Sequence, residues 1–114
     1  MEIAEIIKKT NAKVAAGDLE NYGAVEKAFS SDLMSDVLTL DEENIILISG
    51  LANIQLVRTA EMADINVVLL ARNKKATPEM IELAKENGLL LLETPFSIFK
   101  TSGILYSSGL KPIY

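Results

Sequence analysis

The sequence contains no cysteine, no histidine and no tryptophan. Without cysteine there is no disulfide, no thiolate zinc site and no cysteine-ligated iron–sulfur cluster within the chain. Without histidine, Ser-His-Asp and Cys-His catalysis and histidine-bound metals are excluded as well. The chemistry left is that of carboxylate, lysine or tyrosine groups, an oxygen-ligated Mg²⁺ or Ca²⁺, or none. Arginine is scarce: Arg58 and Arg72 are the two. Long apolar runs are missing too, since a stretch such as Leu89 to Leu92 falls far short of the ~20 residues that span a bilayer.

What remains is an ordinary globular mixture. The 114 residues are 49% hydrophobic and 24% charged, the length of a single domain, taken here as residues 1–114. A chain of this size buries over ~60% of its unfolded surface, so its core needs no metal or disulfide staple. Eleven Lys and Arg against sixteen Asp and Glu give a net charge of −5. A nucleic-acid partner needs a concentrated positive face. The lysines are scattered apart from Lys8-Lys9 and Lys74-Lys75, so neither nucleic acid nor an anionic membrane surface is an expected partner. Met1-Glu2-Ile3-Ala4-Glu5 carries acids where a secretory leader has basic residues. The expected location is cytoplasmic.

Hydrophobic spacing gives the elements. Ile3, Ile6 and Ile7 within residues 2–9 predict a short amphipathic helix. Lys13 to Ala16 reads as a weak strand closed by Gly17, and Ala24 to Phe29 as another. Leu33 to Leu38 follows the capping side chains of Ser30-Ser31-Asp32 as a short helix. Ile45 to Ile48 is a continuous apolar run, the mark of a strand buried on both faces, and Ile65 to Leu70 and Leu89 to Leu92 read as the second and third strands. Between them, Asn53 caps a helix through Ile54, Val57 and Ala60, and Thr77-Pro78 opens one that Asn87-Gly88 closes. A last helix runs from about Ser97 to Tyr106. Strands alternating with helices predict parallel βαβ units with right-handed crossovers. The fold class is therefore α/β: a compact three-layer α/β/α domain with a mostly parallel sheet, its parallel core at residues 44–93, and edge pairing and a covering helix from the first thirty residues. The successive units do not match side chain by side chain, and no internal repeat is assigned.

Ligands of open parallel sheets sit outside the carboxyl ends of the strands, where helix N-termini also point. Small polar residues fall at those ends here. The candidate ligand-binding set is Ser31, Asp32, Ser49, Gly50, Asn53, Arg72, Thr94 and Ser97. It offers hydroxyls, backbone N–H groups and one guanidinium to a small anion; ordinary turn and helix capping accounts for the same residue types. Ser49-Gly50-Leu51-Ala52-Asn53 lacks GxGxxG spacing, and no GxxxxGK[ST] occurs. Asp32 and Asp36 lie four apart, a spacing that puts them on one helix face if both are helical. As a pair they leave open Mg²⁺ binding or acid/base work, against a solvated face with Asp32 near the cap. Asp41-Glu42-Glu43 reads as a polar turn, and Lys74-Lys75 as an exposed loop or an extension of an anion site around Arg72. The apolar tail, Ile104-Leu105-Tyr106 and Pro112-Ile113-Tyr114, either closes the core or forms a contact with a second copy or another chain.

From Ser31-Asp32-Leu33-Met34-Ser35-Asp36-Val37 onward the sequence resembles the DRTGG domain family, and the likeness extends along nearly the whole chain. That stretch is similar to the family's SDLLSDV-like segment, with Met34 as the one change. The resemblance also covers the N-terminal helix, the strand from Lys13 to Gly17, the strand Ile45 to Ile48, Asn53 before the helix at Ile54, and the helix from Pro78 to Glu86-Asn87-Gly88. The eponymous residues are not retained: Tyr22-Gly23 stands where Asp-Arg would, and Glu26-Lys27-Ala28 where Thr-Gly-Gly would. The resemblance implies a divergent, stand-alone regulatory or ligand-sensing module that self-associates, with a small-molecule effector or a partner protein. It brings no catalytic residues and no cofactor.

Overall fold

The computed structural model describes residues 1–114. Its centre is three strands, β3 (Ile45–Ser49), β4 (Val67–Leu70) and β5 (Leu90–Glu93), in which nearly every side chain is buried. Side chains alternate across a strand, so each of these strands supplies two cores. Leu47, Val68, Leu70 and Leu91 face one layer; Ile46, Ile48, Leu69, Leu90 and Leu92 face the other. This is why the runs are continuous rather than alternating in hydropathy.

The sheet has six strands in the order β1-β5-β4-β3-β2-β6, with β1 at Lys13–Ala16, β2 at Lys27–Ser30 and β6 at Lys111–Pro112. All neighbours are parallel except β1, which runs antiparallel to β5. Gly17 ends β1 at φ +98, where a Cβ would stand 3.0 Å from the Leu90 backbone; that approach excludes any other residue.

Five helices complete the chain: α1 (Ile3–Thr10), α2 (Met34–Val37), α3 (Ile54–Met62), α4 (Pro78–Glu86) and α5 (Ile98–Ser107). From β2 to β5 each strand is followed by its sheet neighbour, so right-handed crossovers put α2, α3 and α4 on one face. Their Val37, Leu56, Val57, Ala60, Met80 and Ala84 share one core. The step from β5 to β6 runs back across the sheet. The same handedness then lays α5 on the opposite face, where Leu105 packs in the second core with Ile3 and Ile6 of α1. The result is the three-layer α/β/α fold expected from the sequence.

The caps are local chemistry. Asn53 accepts from the Gln55 N–H at 2.9 Å, Thr77 from Met80 at 3.2 Å with Pro78 at the first helical position, and Ser97 from Lys100 at 3.0 Å. Two expectations change. The second strand begins at Lys27 rather than Ala24, because Ala24 bridges Glu2 and Val25 binds the backbone of Met1. It is also interior, because the tail folds back as β6 and pairs beside it.

Candidate functional site

The loops leaving β4 and β5 go to helices on opposite faces, the arrangement that opens a crevice at strand carboxyl ends. Here the backbone closes that crevice. Arg72 and Asn73, at φ +64 and +58, donate their N–H groups to Phe96 and Thr94 carbonyls at 2.8 and 3.1 Å. Ala76 N–H donates to the Glu93 carboxylate at 2.6 Å. Two successive non-glycine residues in the left-handed region are uncommon, and such conformations cluster at functional sites.

The turn that stitches β4 to β5 sends the Arg72 side chain over the end of β3. A Cβ on Gly50 would stand 2.9 Å from Arg72 Cδ and 3.4 Å from Ile98 Cδ1, so the glycine makes room for the arginine and for the head of α5. Beyond Gly50 lies Asp32. Its Oδ1 accepts from Ser49 Oγ at 2.8 Å and from the Gly50 N–H at 2.7 Å. Its Oδ2 is 3.9 Å from an Arg72 terminal nitrogen, with both side chains close to half exposed. Such an exposed, long pair contributes little. A guanidinium has five N–H donors, and this one keeps them available at the mouth of the strands.

Four of the eight candidate residues therefore meet: Asp32, Ser49, Gly50 and Arg72. Of the others, Ser31, Asn53 and Ser97 serve their own turns, and Thr94 joins two elements elsewhere. Ser31 Oγ accepts from Leu33 N–H at 3.0 Å, in the turn before α2. Asn53 and Ser97 are helix caps. Thr94 is buried and donates to the Thr10 carbonyl at 2.6 Å, fastening α1 to the end of β5. Capping and anion binding use the same short polar residues, so spacing alone does not separate them. Ile98, at the head of α5, belongs beside the cluster; an isoleucine opening a helix carries no sequence signal of that role.

The carboxylate pair is corrected. Helix α2 begins at Met34, so Asp32 lies outside it and does not share a helical face with Asp36. The Ser49 and Gly50 donors draw its carboxylate across to β3 instead. No group of three or more His, Cys, Asp or Glu side chains stands close enough to hold a metal ion. A cavity of about 670 Å³ at the opposite ends of the strands includes Asp41, Glu42 and Glu43, and Glu42 pairs with Lys27 at 2.8 Å. No helix is long and apolar enough to cross a membrane.

No family model matches the sequence, and no curated protein matches it. Among solved structures, the fold matches the CBS and DRTGG domains of the regulatory region of Clostridium perfringens pyrophosphatase, complexed with its activator, diadenosine tetraphosphate. The TM-score is 0.80 at 18% identity, over 94% of this chain and 46% of that one. This chain thus shares the fold of part of a regulatory region and spans less than half of that chain's length.

Proposed function

We propose that this chain is a divergent DRTGG-type regulatory module, without catalytic activity of its own, that self-associates and senses a small anionic metabolite or nucleotide. The observation that carries the reading is Arg72. A left-handed backbone aims its guanidinium over Gly50 at the carboxyl ends of the parallel strands, where its one ionic neighbour is distant. Ser49 and the Gly50 N–H already serve Asp32, so the arrangement suits holding an anion on the arginine rather than activating a nucleophile. The fold shared with a nucleotide-activated regulatory region supports the same reading.

Thermal melting with nucleotides, acyl phosphates and inorganic pyrophosphate tests it. A ligand at 100 times its dissociation constant stabilises by about 2.7 kcal/mol, which shifts the midpoint of a domain of this size by several degrees. At least one anion is expected to shift the wild type, and Arg72→Ala to remove the shift. A panel that moves neither, or moves both equally, overturns the proposal. Sedimentation of the wild type is expected to give a dimer mass.

A further inference from the structure

A groove of about 460 Å³ runs along α5 beside the β2–β6 edge of the sheet. Its aromatic lining, Phe99, Tyr106 and Tyr114, is 89%, 67% and 86% exposed. Ala28 and Ser30 of β2 line it with small side chains. In a chain of net charge −5, no Asp or Glu lines this groove, and the one charged side chain in its lining is Lys111.

Gly103 is the telling residue. It lies inside the ten-residue helix α5 and lines the groove. Glycine weakens a helix interior relative to alanine. At this position φ is not positive, and a Cβ would meet nothing within 4 Å. Neither a turn nor a packed neighbour within the chain calls for glycine; the space it keeps free belongs to the groove.

Ser30 Oγ and Ser102 Oγ stand 2.7 Å apart in the same lining. One hydroxyl donates to the other, which leaves a second O–H and spare lone pairs for a ligand. The groove shares no residue with the charged cluster but ends close to it along the chain. Ser30 is the last residue of β2, two before Asp32, and Ile98 at the head of α5 abuts Gly50 beside Arg72. With strands about 4.8 Å apart, the ends of β2 and β4 are separated by roughly 10 Å, a gap that a ribose phosphate bridges.

We infer that the α5 groove holds the planar ring of an aromatic anion, in chemical class a nucleoside phosphate, whose charged end reaches Arg72. The inference rests on the anion-sensing reading of Arg72 and adds a second subsite. Aromatic side chains stack on any base face, so the lining sets the ligand class without fixing the base. Arg72 supplies the charge complementarity at the carboxyl end of the strands, and no Asp or Glu in the groove lining opposes it.

Calorimetric titration of the full chain with ADP, GDP, UDP, adenosine and inorganic pyrophosphate tests both subsites. Tyrosine fluorescence gives a second readout, since there is no tryptophan and two of the three tyrosines line the groove. At least one diphosphate is expected to bind tenfold or more tightly than pyrophosphate. Gly103→Phe fills the groove and is expected to bring that diphosphate to the pyrophosphate level while leaving pyrophosphate unchanged; Gly103→Leu repeats the effect without an added ring. Arg72→Ala is expected to weaken both ligands. If every diphosphate binds like pyrophosphate and the Gly103 variants change neither, the groove inference falls and the Arg72 reading stands. If adenosine and the diphosphates bind alike, pyrophosphate does not, and Gly103→Phe abolishes binding, the groove stands and the Arg72 reading falls. If nothing binds and the Gly103 variants only lower the sedimenting mass, the groove is a contact between copies and both are overturned.

Discussion

Gly50 and Arg72 are fitted to each other: the one position where a Cβ would collide with the arginine, at 2.9 Å from Cδ, is occupied by glycine. Gly50 is not in the left-handed region, so its role there is spatial. Gly50→Ala pushes against the movable part of a long side chain, and its cost in stability is expected to stay below about 1 kcal/mol, within the usual effect of a point change. The guanidinium is displaced, and anion-dependent stabilisation is expected to shrink several-fold. Paired melts with and without pyrophosphate measure both effects. A variant that loses much stability yet keeps its anion response contradicts this relation.

Asp32 serves two neighbours of opposite demand. Its Oδ1 satisfies Ser49, which is buried, and the Gly50 N–H. Asp32→Ala strands those donors and is expected to cost about 1–3 kcal/mol. Asp32→Asn keeps an acceptor oxygen and is expected to cost less. The same Asn change removes a negative charge near Arg72, so anion affinity is expected to rise several-fold, more at low salt than at high. Urea denaturation and titration at two salt concentrations give the two numbers. A loss of anion affinity in Asp32→Asn places the carboxylate among the ligand's own contacts instead.

The strands were readable where burial is continuous. Ile45 to Ile48 and Leu89 to Leu92 sit in the sheet interior and show it in every residue. The pairing of β6 beside β2 was not readable, because a two-residue strand containing Pro112 has no period to detect. The four residues that meet were legible only as members of a longer polar set. Asn53 caps its own helix, whereas Asp32 bonds across 17 residues and Thr94 across 84. Such long-range partners leave no mark in local spacing.

Tyr22 is the titration probe. Its hydroxyl donates to the Gly88 carbonyl, tying the segment before β2 to the end of α4. Burial, and then the charge of Asp18, raise its pKa above 10.0. A raised folded pKa means that the unfolded chain gives up this proton first as pH rises. The stabilisation is fully present below about pH 10 and is lost between the unfolded and folded values. Stability is therefore expected to fall as pH rises above about 10, and Tyr22→Phe to flatten that slope while costing about 1 kcal/mol at neutral pH for the lost hydrogen bond. Urea midpoints across the alkaline range check it. An unchanged alkaline slope in Tyr22→Phe assigns the loss to other groups.

The tail closes the sheet edge and leaves one aromatic ring, that of Tyr114, exposed. Leu110 is buried, Lys111 N–H donates to the Glu26 carbonyl at 3.1 Å, and Ile113 packs against the core beneath α2 to α4. Tyr114 stays exposed, its ring 6.2 Å from that of Phe29. Removing residues 113–114 deletes one half-buried isoleucine and is expected to cost about 1–2 kcal/mol. Removing 110–114 also empties the Leu110 site, at about 2–5 kcal/mol. It further turns β2 into a sheet edge with unpaired backbone groups, which promotes association between chains. Urea midpoints are expected to step down through the two truncations, with light scattering rising in the longer one. If both melt like the full chain and only the sedimenting mass falls, the tail's energy lies between copies rather than within the fold.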